Sequence, residues 1–359
     1  RPGNNWDVNN LIAKAAGLET VNQGFDVVTY TGNGSTQSIT GLNFQPDFVW
    51  TSVRDATGYN KYLIDSVRGS TKVLISHKTD AESTQSTGIT SFNSDGFSVG
   101  SNAQVNENGR SMVAWCWKAG GAASSNTDGT ITSQVSANTT YGFSIVTYSG
   151  TLSNSPNPAP TVGHGLNAAP QLIISKSRNP NGDDNGAWFV NHTYNYDNWF
   201  RLNLTNAGQS IAASGGGTTV DPTSSVFSTY FIAGSNCNNN NYVAYCWSEV
   251  PGFSRFGSFT HASTTSLNLG FKPKFFLIKQ TDGTTPWYLF DAERDSFDDP
   301  LFPNTNVAEA SGFAFTANDS GISWVSGSLN AGTYIYAAFA GTPPGEIIDI
   351  LIDTPTNYE

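Results

Sequence analysis

Three times along the chain, a run that is apolar at nearly every position closes a longer stretch in which apolar and polar residues alternate. The runs read MVAWCWKA at 112–119, YVAYCWSE at 242–249 and YIYAAFAG at 334–341, each after an Asn/Gly-rich turn at 106–109, 238–241 and 329–332. Side chains alternate faces along a strand, so each run divides into two stripes. One stripe holds Val113, Trp115 and Trp117, matched by Val243, Tyr245 and Trp247 and by Ile335, Ala337 and Phe339. The other is mostly small: Ala114 and Cys116, Ala244 and Cys246, Tyr336 and Ala338. A strand apolar on both faces is buried on both, which predicts the central strand of a sandwich. Ala338 in the slot of Cys116 and Cys246 marks a place for a small apolar group, not for a reactive or paired thiol.

The alternating stretches repeat as well. Strands are predicted at 24–30, 142–150 and 252–260, then at 46–52, 170–174 and 273–279, where a proline at the strand start does no harm to the ladder. The next strand carries Asp65-x-x-Arg68 in the first copy and Asp291-x-x-Arg294 in the third; aligned on 188–194, the second copy has Asn191 and Tyr194 in those places. Joint replacement of both members reads as an exchangeable, partly exposed local brace contributing under about 1 kcal/mol. The chain is thus a threefold internal repeat. The expected fold is all-β, with three tandem β-sandwich repeats of jelly-roll or lectin-like form at 24–120, 141–250 and 251–342. Residues 1–23 read as a lead-in with a short helix at 11–16, residues 121–140 as a Gly/Ala/Ser/Asn linker with a short strand, and 343–359 as a tail. The apolar segment at 347–352 of that tail needs a partner to cover it.

Composition narrows the function. The chain has 359 residues, a length that suits two or three domains. Only 13% of residues are charged and 36 are glycine, as in β-rich proteins with many turns and a polar, uncharged surface. A formal net charge of -11 repels phosphate backbones and anionic membranes, which argues against nucleic acid as a partner. No apolar run is long enough to insert in a membrane. The three cysteines permit at most one internal disulfide, so this is no disulfide scaffold.

Signatures of catalysis and metal binding are missing. His77, His164, His192 and His261 have no metal-ligand spacing, and the Asp183-Asp184 turn with its neighbouring asparagines lacks a calcium-loop pattern. There is no Gly-x-Ser-x-Gly elbow and no phosphate-binding loop, so no cofactor and no metal is expected. Polysaccharide depolymerase activity, which needs only a carboxylate pair, is the enzymatic alternative. Binding has better support, because aromatic faces and neutral amides suit sugar rings. The densest such stretch contains Tyr194, Tyr196 and Trp199; Tyr59 with Asn60, and Trp287, occupy corresponding places in the first and third copies.

Several segments carry a family resemblance. GFDVVTYTGNG at 24–34, QPDFVW at 45–50, DSVRG at 65–69, VAWCWK at 113–118 and DTPTNY at 353–358 resemble a β-rich repeat of tail-fibre-like virion proteins of marine and cyanobacterial tailed phages. The resemblance covers most of 24–341. It brings no catalytic residues. It implies a location on the virion surface, a homo-oligomeric and often trimeric fibre with other virion proteins as partners, and contact with a host surface polysaccharide. The expected function is therefore a non-enzymatic tail-fibre or adhesin segment, with a structural spacer, capsid decoration or filament subunit as the alternative.

Overall fold

The computed structural model describes residues 24–341 except 156–157, 182–183, 262–264, 296 and 326. The expectations for the lead-in, for the tail and its apolar segment, and for Asp183 lie outside the described residues. Apart from a one-turn helix at Ala103–Asn106, the regular structure is antiparallel β-sheet, and the all-β class holds.

The first unit contains β1 (Phe25–Thr31), β2 (Gln37–Thr40), β3 (Phe48–Val53), β4 (Tyr62–Asp65), β5 (Lys72–Ile75), β6 (Ser83–Thr84), β7 (Ile89–Asn93), β8 (Gly96–Val99) and β9 (Ser111–Trp117). Its large sheet runs β1-β9-β3-β4-β5-β6, and β2-β8-β7 form a small sheet over one face. The second unit contains β10 (Ser124–Asn126), β11 (Ser133–Asn138), β12 (Phe143–Ser149), β13 (Thr161–Gly163), β14 (Leu172–Ser177), β15 (Trp188–His192), β16 (Asn198–Arg201), β17 (Gln209–Ser210), β18 (Val226–Ser228) and β19 (Asn241–Trp247). Its sheet order is β10-β11-β12-β19-β14-β15-β16-β17, with β13-β18 apart. The third unit contains β20 (Ser254–His261), β21 (Ser266–Asn268), β22 (Pro273–Gln280), β23 (Trp287–Asp291), β24 (Phe315–Asn318), β25 (Gly321–Trp324) and β26 (Gly332–Ala340), in sheets β20-β26-β22-β23 and β21-β25-β24.

The expected linker is not a free tether. Nine of its residues form β10 and β11, which extend the second sheet beyond β12. Its alternating Val135 and Ala137 pack against the local core of that unit, so the segment has a face to bury and forms strand.

One register recurs at the centre of each large sheet. The closing strand lies between the opening strand and the proline-led strand, so Trp117 faces Phe25 and Phe48, Trp247 faces Phe143 and Leu172, and Phe339 faces Ser254 and Phe275. The small stripe of the closing strand points into the sandwich. Ala114 and Cys116 join Ile39, Phe97 and Val99 there, and Ala244 and Cys246 join Val146 and Phe227. Burial in this setting raises both thiols above their ordinary pKa, as a small apolar residue of the core would show.

The aromatic stripe points the other way, toward the other two units. Phe25, Trp115, Trp117, Phe143, Tyr245, Trp247, Phe275 and Phe339 belong to one shared core. The Trp117 ring lies 5.9 Å from Trp247 and 5.6 Å from Phe339, both edge-to-face, and Phe48 stacks on Tyr245 at 4.2 Å. Such pairs add to the large apolar area each ring removes from water. Each large sheet is therefore a middle layer, between its own small sheet and the common centre. That is why its central strand is apolar on both faces.

The outer edges of the opening strands are occupied at one corresponding position. Val27 N–H donates to the Asp26 carboxylate at 2.8 Å, and Phe256 N–H donates to the Glu249 carboxylate at 3.1 Å. In the second unit the corresponding Ile145 lies opposite Ser136 of β11.

Candidate functional site

The units meet at three seams, and the residues of the Asp-x-x-Arg pattern lie in them. By register, Asp65 lies opposite Phe48, His192 opposite Leu172 and Asp291 opposite Phe275, so the second-unit counterpart of the aspartates is His192, not Asn191. The pair is also not a partly exposed local brace. Asp65 and Arg68 side chains are fully buried, as are those of Asp291 and Arg294.

Each of these groups reaches into the next unit. Tyr245 Oη donates to Asp65 at 2.8 Å and accepts from Arg68 at 2.9 Å, Trp115 Nε1 donates to Asp291 at 2.9 Å, and His192 Nε2 lies 3.0 Å from the Tyr336 carbonyl. Trp115, Tyr245 and Ala337 share one slot of the closing strand. Where the slot offers an indole or phenol donor, the facing residue is an aspartate; where it offers alanine, the facing residue is a histidine turned to a backbone carbonyl.

Beyond the pair, Arg68 holds Glu82 at 3.0 Å, and Glu82 takes two bonds of 2.9 Å from Arg178 of the second unit. Arg294 likewise holds Glu309 at 3.0 Å, and Glu309 takes two bonds of 3.1 Å from Arg54 of the first unit. Planar guanidinium and carboxylate groups fit these paired bonds. The arginines bring Glu82 below the usual glutamate range against the opposing effect of burial.

Burial holds His192 down to about 4, and its Nδ1 accepts the Tyr194 N–H at 3.0 Å, so the ring is neutral at pH 7. A histidine whose folded pKa lies below its unfolded value of about 6.5 contributes fully above that value and loses its contribution as pH falls toward 4. The loss from this fully buried ring is expected to be roughly 3 kcal/mol. Urea midpoints at pH 7, 5.5 and 4.5 test this: His192→Gln should flatten the acid slope. The slope that remains belongs in part to His77 and His164, which burial also lowers.

The long axes of the sheets define two ends. At one, Lys118 N–H donates to the Gly24 carbonyl, Ser248 N–H to Gly142 and Ala340 N–H to Phe253. Lys274, whose side chain a Cβ on Gly341 would touch, forms a 2.5 Å ion pair with Asp26. Positions 24 and 341, where the described chain starts and stops, therefore lie together at this end. The same end has an open cavity of about 490 Å³ lined by polar and apolar groups alike, among them Gln45, Asp47, Lys118, Ala119, Ala137 and Asn138. Asp47 already accepts from Ser66 Oγ and Ala119 N–H, at 2.8 and 2.9 Å.

Loops between strands occupy the opposite end, and buried groups hold them. Asn106, fully buried, accepts the Asn33 N–H at 2.9 Å and donates to Gly100 O at 2.7 Å, while Tyr30 Oη donates to Val105 O at 2.8 Å. The second unit repeats this with Asn236, which accepts from Thr151 N–H at 2.7 Å, and Tyr148, which donates to Ser235 O at 2.5 Å. Gly109 has φ +78, a left-handed turn position that suits glycine. In the sequence Asn106 reads as a turn residue and Asn236 lies outside the turn expected at 238–241; that both fall at one repeat position is the signal that marks them as anchors.

The structure divides the sequence-predicted binding residues. Trp199 and Trp287 are each 2% exposed and serve the interior: Trp199 stacks on Phe189 at 5.5 Å, and Trp287 donates its indole N–H to Arg201 O at 2.9 Å. They present no face to a ligand. Register also puts Lys61, not Tyr59 or Asn60, in the place of Trp287. Tyr194 is 43% exposed but lies beside His192 at the end that holds Gly24 and Gly341, with half-buried Tyr196 bonded to Pro170 O. Tyr59 and Asn60 are half-buried at the loop end, where the Arg110 guanidinium stands 6.0 Å from the Tyr59 ring and Gln104 Oε1 accepts the Asn60 N–H. Sequence reasoning passed over Arg110 and Gln104.

Among the described residues, no group of three or more His, Cys, Asp or Glu side chains is placed to hold a metal ion, and no helix is long and apolar enough to cross a membrane. Residues 21–343 match the model of a family described as "Domain of unknown function (DUF7483)". No curated protein matches the chain.

Proposed function

We propose that this chain, which belongs to the DUF7483 family, is a non-enzymatic display segment of a tail-fibre-like virion surface protein. It is held at one end and offers loops at the other for attachment to a host surface glycan. The observation that carries this reading is the convergence of Asp26, near the start of the first strand, and Gly341, just past the last strand, on Lys274, with the anchored loops at the opposite end. An in-line spacer passes its chain from end to end, whereas this arrangement suits a pendant knob. Loops fixed by buried hydrogen bonds give up less freedom on binding. The half-buried Tyr59 ring, flanked by Arg110, Asn60 and Gln104, offers an apolar face and polar groups suited to a sugar.

One feature favours the structural alternative. The largest aromatic side chains of the closing strands are used to fuse the units, which a scaffold needs as much as an adhesin does. Binding of labelled protein to intact candidate host cells separates the two. Saturable binding that weakens about tenfold in Tyr59→Ala, and is unchanged in Tyr194→Ala, is expected of attachment through the loop end. A folded protein that binds none of the candidate surfaces would move the assignment to a structural virion subunit.

A further inference from the structure

The three seams are not equal, and we infer that the chain opens between its second and third units. Three corresponding backbone bonds cross the seams: Glu82 N–H to Arg178 O at 2.7 Å, Glu309 N–H to Arg54 O at 2.9 Å and Gly208 N–H to Thr281 O at 2.9 Å. The first two are reinforced by the charged relays, Asp65–Arg68–Glu82–Arg178 and Asp291–Arg294–Glu309–Arg54. The third has lost every member at once. His192 stands for the aspartate, Gly208 for the glutamate and Thr281 for the arginine of the neighbouring unit, and Ala337 replaces the phenol or indole donor. Among the described residues, no ion pair joins the second unit to the third. Hydrogen bonds to charged partners hold more firmly than neutral ones, so the relay seams resist parting more.

The seam between the third and first units needs that reinforcement most, since no adjacent stretch of chain joins them. It also has Lys61 Nζ on the carbonyls of Thr305 and Val307 at 3.0 and 3.2 Å, Ser76 Oγ on Pro303 O at 2.6 Å and the Lys274–Asp26 pair. The second and third units are joined through Pro251, at the end that holds Gly24 and Gly341. That junction is placed as a hinge, with the loop end of the seam free to part.

Native-state hydrogen exchange reads each seam separately. After correction for intrinsic rates, the amide of Gly208 is expected to exchange at least tenfold faster than those of Glu82 and Glu309. The indole N–H of Trp287, which crosses the second–third seam to Arg201 O, should exchange faster than that of Trp188, which crosses the first–second seam to Ile75 O; both bonds are 2.9 Å. Equal protection of the three amides would overturn the inference. So would a fast Gly208 amide with equally protected indoles, because that pattern is local fraying of one loop. Arg178→Gln is the second arm: it should bring the Glu82 amide and the Trp188 indole toward the rates of the second–third seam and leave the Glu309 amide protected.

Discussion

Replacing Arg68 by alanine is expected to destabilise the protein by about 3–5 kcal/mol, the cost of leaving a buried charge without its partner. Asp65 would keep only the Tyr245 hydroxyl and the backbone N–H of residue 68 in a site closed to water, and Glu82 would lose the guanidinium that links it to Asp65 within the first unit. The double variant Asp65→Leu, Arg68→Met removes both buried charges and should recover much of the loss, because apolar packing replaces an ion pair at little net cost. Urea denaturation of the two variants beside the parent decides this. A single variant within 1 kcal/mol of the parent, the magnitude of an exposed brace, would contradict the buried relay.

The other large effect belongs to the shared core. Trp117→Ala removes a ring in edge-to-face contact with Trp247 and Phe339 and tilted against Phe25, and should cost about 3–5 kcal/mol. The form of the transition matters as much as its midpoint. Because the ring touches all three units, the loss is expected in a transition that near-ultraviolet and far-ultraviolet signals report together. A variant in which only part of the signal moves, with the rest at the parent's midpoint, would mean that the units hold their cores independently.

Much of this was legible in the chain. The alternation of apolar residues located the strands, and the slot shared by Cys116, Cys246 and Ala338 was correctly a core position. What the pattern could not state was which body covered the aromatic stripe. A stripe buried by its own small sheet and one buried by a neighbouring unit have the same composition. The register of the second unit was lost for a related reason: in β15, buried at all five positions, no polar residue alternates to fix the face, and a slip of one puts Asn191 in the place of His192. The candidate site suffered from the same density of aromatics. Trp199 and Trp287 lie among apolar neighbours because they are core, whereas Tyr59 sits beside Arg110 only after a turn 50 residues away returns to it. One clue was available in the sequence: the seam slots vary in step, aspartate with Trp115 or Tyr245 and histidine with Ala337.

The carboxylates of Asp26 and Glu249 do something for the molecule in company. A row of open strand amides is a template on which a neighbouring chain can add its own strand, and sheets that join this way grow without limit. Here the amides of Val27 and Phe256 already have side-chain acceptors, and at the corresponding place in the second unit the chain has laid down its own extra strand. Copies crowded side by side at high local concentration thus meet edges whose bonding is partly spent, which works against their knitting into one continuous fabric.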